Sequence, residues 1–98
     1  MDISFSSKLF IWKGSNWIYV QLPLGDSQAI REATSGLPRR GFGSQKVVVS
    51  TGGTNWETSI FPDAQTKQYI MFIKKNVRQA EGIDVGDQVE VSIRLKNL

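Results

Sequence analysis

The residues best suited to chemistry in this sequence are Arg39 and Arg40, followed directly by Gly41, Phe42, Gly43 and Ser44. A guanidinium is a planar fork of N–H donors that matches an oxyanion, and two of them side by side suit an anionic ligand. The glycines let a ligand approach the backbone closely. Successive backbone N–H groups in such a turn can form an anion-binding nest. The run is neither a dinucleotide fingerprint nor a P-loop, because the third Gly and the Gly-Lys-Ser/Thr ending are absent. The competing reading is a solvated loop whose glycines serve only its path. Lys74, Lys75 and Arg78, at the start and on one side of a short helix, are assigned to the same positive face; a solvated helix face competes there too.

Other chemistry is narrowed by composition. The chain contains no His and no Cys. That removes disulfides, thiol chemistry, the commonest acid–base residue and the two favoured zinc ligands. The acids are scattered, with no spacing that suggests a carboxylate dyad or a metal cage. Asp26 reads as a helix cap, and Asp63 and Asp87 as turn residues. No catalytic residue, metal or cofactor is therefore assigned. Trp12, Trp17 and Trp56 read by default as core or barrel-end packing. A stacking platform for bases would require one of them to be exposed beside the arginines.

The net charge is +3, with a pI near 9.5. This mild excess permits an anionic ligand or nucleic acid and equally serves solubility. No apolar run approaches the ~20 residues of a membrane span, so no membrane contact is expected. Met1-Asp2-Ile3-Ser4 carries an acid where a signal peptide needs a basic stretch, and a cytoplasmic protein is expected.

These groups need a frame to position them, and 98 residues suffice for one domain, 1–98. Residues 3–12 read as a first strand with a bulge, and Lys13 to Asn16 as a turn. Trp17 to Leu22 is a β-branched and aromatic second strand that Pro23 stops. Asp26 or Ser27 caps a short helix that uses Ala29, Ile30 and Ala33 for its apolar contacts, with Gly36 at its end. A loop covers residues 37–44. Lys46 to Ser50, Trp56 to Phe61 and Gln68 to Ile73 are strands, the first two joined through Gly52-Gly53. A second helix runs from Lys74 to Glu81, with Val77 and Ala80 inward and Gly82 as its stop. The alternation of Val89, Val91, Ile93 and Leu95 with polar residues is the clearest strand signal. Six strands and two short helices in so small a chain leave exposed edges unless the sheet closes. The expected fold class is therefore mainly β, a closed six-stranded barrel capped by two short helices.

Two segments look alike. Tyr19-Val20-Gln21-Leu22, Ala29-Ile30-Arg31-Glu32-Ala33 and Val47-Val48-Val49-Ser50 parallel Tyr69-Ile70-Met71-Phe72, Asn76-Val77-Arg78-Gln79-Ala80 and Val89-Glu90-Val91-Ser92. Both read strand, short helix, strand, with a pseudo-twofold barrel as one explanation and coincidence as the other.

Two resemblances follow. Lys75 through Val91, with its helix, Gly82-Ile83, Gly86-Asp87 and β-branched strand, resembles AbrB-type transition regulators and antitoxins. The whole chain resembles the DUF1905 family, small bacterial and archaeal barrels of unknown function. The match is carried by Trp12, Trp17, Pro23, Arg40 to Ser44, Val47 to Val49, Gly52-Gly53-Thr54, Trp56 to Asp63 and Lys74 to Val89. Phe42 stands where Trp is expected, and Phe72 where Pro is expected. The resemblance implies a double-split β-barrel and no particular activity. Some relatives carry a second domain, which is not expected here.

The sequence thus favours a non-enzymatic binding module with a basic Arg/Gly loop for an anionic ligand. The proposed contacts are Arg39, Arg40, Gly41, Phe42, Gly43, Ser44, Lys74 and Arg78, in a monomer. The alternatives are an AbrB-like nucleic-acid-binding protein, a small-molecule enzyme using the barrel mouth, and an accessory domain with a protein partner.

Overall fold

A computed structural model describes residues 1–37 and 43–96. Seven strands and two helices follow one another as β1 (Asp2–Lys8), β2 (Phe10–Ile11), β3 (Ile18–Gln21), α1 (Leu24–Thr34), β4 (Gln45–Thr51), β5 (Thr54–Pro62), β6 (Tyr69–Phe72), α2 (Lys75–Glu81) and β7 (Gln88–Leu95). The strands form one sheet in the order β1-β7-β4-β5-β6-β3-β2, with every pairing antiparallel.

The two ends of that order are consecutive in the chain, so the sheet curls into a nearly closed barrel. Alternation fixes which side faces in. Ile3, Phe5 and Ser7 of β1 and Val89, Val91, Ile93 and Leu95 of β7 are buried, and their neighbours along the strand are exposed. Leu22, Val20, Ile30, Val47, Val49, Ile60 and Met71 fill the interior at 0% exposure.

The strand count differs from the six expected because the first strand breaks at Leu9. There the chain leaves β7 and bonds instead to the turn before it: Leu9 N–H donates to Asp87 O at 2.9 Å, and Leu9 O accepts from Gly86 N–H at 2.8 Å. Beyond this bend, Phe10 and Ile11 pair with Tyr19 and Ile18 of β3. The Ser7 hydroxyl accepts from Gln21 N–H at 3.1 Å and stitches β1 to β3 across the seam. The Gly86-Asp87 turn is built as its residue types dictate. Gly86 sits at φ +90°, and the Asp87 carboxylate accepts from Asp84 N–H at 2.8 Å.

The pairing pattern is twofold. β3–α1–β4 and β6–α2–β7 have the same order of elements; β3 pairs with β6, and β4 with β7. Exchanging the two units, and β5 with the bent β1–β2, leaves the strand order unchanged. Both helices start from an extended residue, Pro23 (φ −57°, ψ 155°) and Lys74 (φ −67°, ψ 155°). This equivalence aligns Ile18, not Tyr19, with Tyr69. A one-residue offset moves a strand residue to the other face, and Tyr69 is buried inside while Tyr19 lies half-buried on the outer face. Helix α1 has 11 residues to the 7 of α2, about one turn more.

Several helix expectations are corrected. Neither Asp26 nor Ser27 caps α1, because the helix already begins after Pro23, and Ser27 N–H makes a helical bond to Pro23 O at 2.9 Å. Asp26 sits in the first turn, where its charge suits the helix dipole. The buried stripe is Ser27, Ile30 and Thr34, leaving Ala33 exposed; Val77 is the buried residue of α2, and Ala80 faces out. Gly82 ends α2 in the left-handed conformation, φ +64°.

The helices occupy opposite ends of the barrel. β4 and β6 run in one direction, and β3 in the other. The chain enters α1 at the end where β4 starts, and α2 at the end where β4 finishes. The Thr54 hydroxyl donates to the Glu81 carboxylate, tying α2 to the β4–β5 hairpin. Among the described residues, no helix is long and apolar enough to cross a membrane.

Candidate functional site

The outer face of β2, β3, β5 and β6 carries a band of aromatic side chains. Alternation puts Ile18, Val20 and Leu22 inside, so Trp17 and Tyr19 point out. Phe10, Tyr19 and Phe72 are successive register partners across β2, β3 and β6, with Phe10–Tyr19 centroids 5.5 Å apart and Tyr19–Phe72 centroids 6.2 Å apart. Phe61 of β5 continues the row, 6.3 Å from Phe72. Trp12 and Trp17 flank the tight turn between β2 and β3. Trp12 N–H donates to Trp17 O at 2.7 Å, and Gly14 takes the positive φ of +78°.

Both indoles pack edge-on against Phe72, at 5.7 Å for Trp12 and 5.2 Å for Trp17. Such geometry holds each ring in place while leaving surface open to solvent. Trp17 is 64% exposed, Ile11 52% and Trp12 41%. The expectation that the tryptophans serve as packing is thus corrected for Trp12 and Trp17, which stand on the surface. Trp56 of β5 is half-buried and packs against the core. The sequence carried a signal for this: aromatic and aliphatic residues alternate from 17 to 20, so one apolar set must face out.

Cations rim one end of the band. Asn16, Trp17, Ile18, Phe72, Ile73, Lys74, Lys75 and Arg78 line a depression of about 620 Å³ at the α2 end of the barrel, with no carboxylate among them. Lys74 and Lys75 are exposed. Arg78 is half-buried and donates from Nη1 to Ile73 O at 2.6 Å, which fixes the guanidinium against the wall. None of the three forms an ion pair with the described residues. Asp84 shares a separate depression with Lys75 and Arg78. The sequence shows the same bias: residues 3–25 and 64–80 contain no Asp or Glu.

Of the residues assigned from sequence, Arg39, Arg40, Gly41 and Phe42 lie outside the described residues. Gly43, at φ +73°, lines a 260 Å³ depression with Arg31, Thr34 and Tyr69 at the α1 end. Ser44 follows it, half-buried, directly before β4. Lys74 and Arg78 are brought together, but at the opposite end, separated from Ser44 by the length of β4, about 20 Å. Gly43 and Ser44 therefore do not share a depression with Lys74 and Arg78.

Acid chemistry is sparse elsewhere. Among the described residues, no three His, Cys, Asp or Glu side chains gather as metal ligands. Glu57 is held below the ordinary carboxylate value by a hydrogen bond and charge from Lys96, helped by Lys46, on the exposed outer face of β5. This is a surface ion pair between strands and lies away from the aromatic band.

A family model matches residues 5–93 and bears the description Domain of unknown function (DUF1905). No curated protein matches the chain.

Proposed function

The chain belongs to the DUF1905 family, whose description assigns no activity, and from the geometry of its surface we propose that it is a binding module for an anionic ligand. The observation that carries this reading is the cluster of Lys74, Lys75 and Arg78 around a mostly apolar depression beside the exposed Trp17, with no carboxylate in the lining. Cations next to low-dielectric aromatic surface attract an anion more strongly than the same charges spread in water. The ligand is held by Lys74, Lys75 and Arg78, and its apolar part rests on Trp17 and Phe72.

The interior, filled by Val20, Leu22, Val47, Val49, Ile60 and Met71, favours surface recognition over an enzyme that works within the barrel mouth. Arg39 to Ser44 belong to the proposal as a further anion contact, supported by their composition; of this run, Gly43 lines the depression at the α1 end. A protein partner is the second reading, favoured by the exposure of Ile11, Trp12 and Trp17; the acid-free, cationic setting weighs towards the anion. The exchange symmetry of β3 with β6 and β4 with β7 supports reading the barrel as double-split, as the AbrB-like Gly86-Asp87 segment does. A monomer in the cytoplasm completes the proposal, compatible with a chain that has no Cys.

Titration with inorganic tripolyphosphate, followed by amide chemical shifts, tests the reading. Shifts are expected at residues 16–18 and 73–78 and should shrink as salt rises, because charge contacts between exposed groups are screened. Lys74→Glu combined with Lys75→Glu should abolish them. Shifts confined to other cations, such as Lys8 and Arg94, would contradict the assignment.

A further inference from the structure

We propose that the aromatic band is a stacking surface for unpaired nucleobases, and that the anionic ligand is a single-stranded nucleic acid. This rests on the anion site described above and names its ligand. The arrangement combines what such a ligand requires: exposed π-faces in sequence, and positive charge alongside for the phosphates. The exposed rings are Trp17 and Trp12, held edge-on by Phe72. The positive charge lies at one end in Lys74, Lys75 and Arg78, and at the β2–β3 turn in Lys13, which is exposed between the two indoles in sequence. Bases stack on Trp17 and Trp12 while the backbone runs past α2 towards Lys13.

The chemistry of the patch selects among occupants. A purely apolar partner would leave Lys74 and Lys75 beside a dry interface without counter-charge, which costs free energy. A second copy docked through the same depression brings no carboxylate to Lys74 and Lys75, because the lining has none. A duplex has its bases stacked internally and offers the indoles only its phosphates. An unpaired strand supplies both an acid for each cation and a planar ring for each indole. Stacking on an indole and charge contact with phosphate are both indifferent to base identity, so weak sequence preference follows.

The test uses the full chain with a fluorescently labelled oligo(dT) of about eight nucleotides, a length within the range bound by small single-strand-binding barrels. Anisotropy and intrinsic tryptophan fluorescence are read at low salt and at about 0.15 M. Binding with quenched tryptophan emission is expected. Trp17→Ala should weaken it by about tenfold, the scale of one lost base–aromatic stack. Trp17 is mostly exposed, so the variant keeps the core intact, and Val48→Ala on the outer face of β4 should leave affinity unchanged.

The failures are distinguishable. If tripolyphosphate and oligo(dT) both bind and Trp17→Ala alters neither, base stacking is overturned while the anion site stands. If neither binds, both readings fall. If the protein sediments as a dimer that Trp17→Ala converts to monomer, a second copy occupies the band and the nucleic-acid inference is wrong.

Discussion

Replacing Gly52 by alanine is expected to destabilise the barrel by about 2–6 kcal/mol, and the cost should depend on a residue 29 positions away in the sequence. Gly52 is the first central residue of the β4–β5 hairpin turn, at φ +57°. A side chain there is strained whatever the space, at about 1–3 kcal/mol. The added Cβ would also collide with the carboxylate of Glu81, the last residue of α2. That carboxylate accepts a hydrogen bond from the Thr54 hydroxyl. Moving it aside loses a charge-assisted bond that contributes about 1–3 kcal/mol. Urea unfolding of Gly52→Ala, Glu81→Ala and the double variant separates the two contributions. In the Glu81→Ala background, the Gly52→Ala penalty should fall to the strain alone. An equal penalty in both backgrounds would show that helix and hairpin are not coupled through this contact.

Ser27→Ala is the second large effect, at about 1–3 kcal/mol. Its hydroxyl is fully buried under α1 and accepts from Tyr69 N–H at 2.9 Å, where β6 begins. The neighbouring backbone is already committed: Leu22 N–H donates to Tyr69 O, and Leu22 O accepts from the Gln68 side chain at 3.0 Å. Alanine would leave the Tyr69 N–H without a partner, and the cost of a buried unpaired donor exceeds the net value of the bond itself. The expected signature is a lower urea midpoint together with faster hydrogen exchange at the Tyr69 amide. A loss below about 0.5 kcal/mol would mean that the amide finds another acceptor.

These two residues mark where the sequence stops being legible. Gly52 is readable as a turn residue from its neighbours, but its contact with Glu81 is set by how α2 returns over the hairpin. Ser27 carries helix-cap chemistry, and a local reading gives it that role. Its actual partner lies 42 residues away, beyond any local pattern. The last strand, by contrast, is legible because Val89 to Leu95 alternate strictly and one face is wet. Gly82 and Gly86-Asp87 are legible because positive φ and side-chain bonds to nearby N–H groups are local properties. Leu9 is the opposite case. An apolar residue within a strand carries no local sign of a break, and the break exists only because the Gly86-Asp87 turn is there to receive its N–H and C=O.

The same limit applies to the surface band. Arg39 and Arg40 stand out in one dimension, next to each other and beside glycines. The cluster that the fold assembles comes from two stretches far apart in sequence: the β2–β3 turn, and the run from the end of β6 into the first turns of α2. Trp12 and Trp17 read as core because large aromatics usually are. Strand alternation shows two apolar sets between residues 17 and 20 but cannot say which one faces out. The Leu9, Ile18 and Leu22 side chains settle it by filling the interior, and the indoles are left on the surface.

The side-chain N–H resonances of the three indoles provide the most direct test of the central claim, that recognition takes place on this outer band. Trp12 and Trp17 stand in the band, and Trp56 packs against the core on β5. With ¹⁵N-labelled protein and increasing oligo(dT), the account predicts that the Trp12 and Trp17 signals move together with the amides of Ile73 to Arg78, while Trp56 stays in place. A stationary Trp12 and Trp17, with shifts instead at residues 39–44, would contradict it and return the site to the arginine loop.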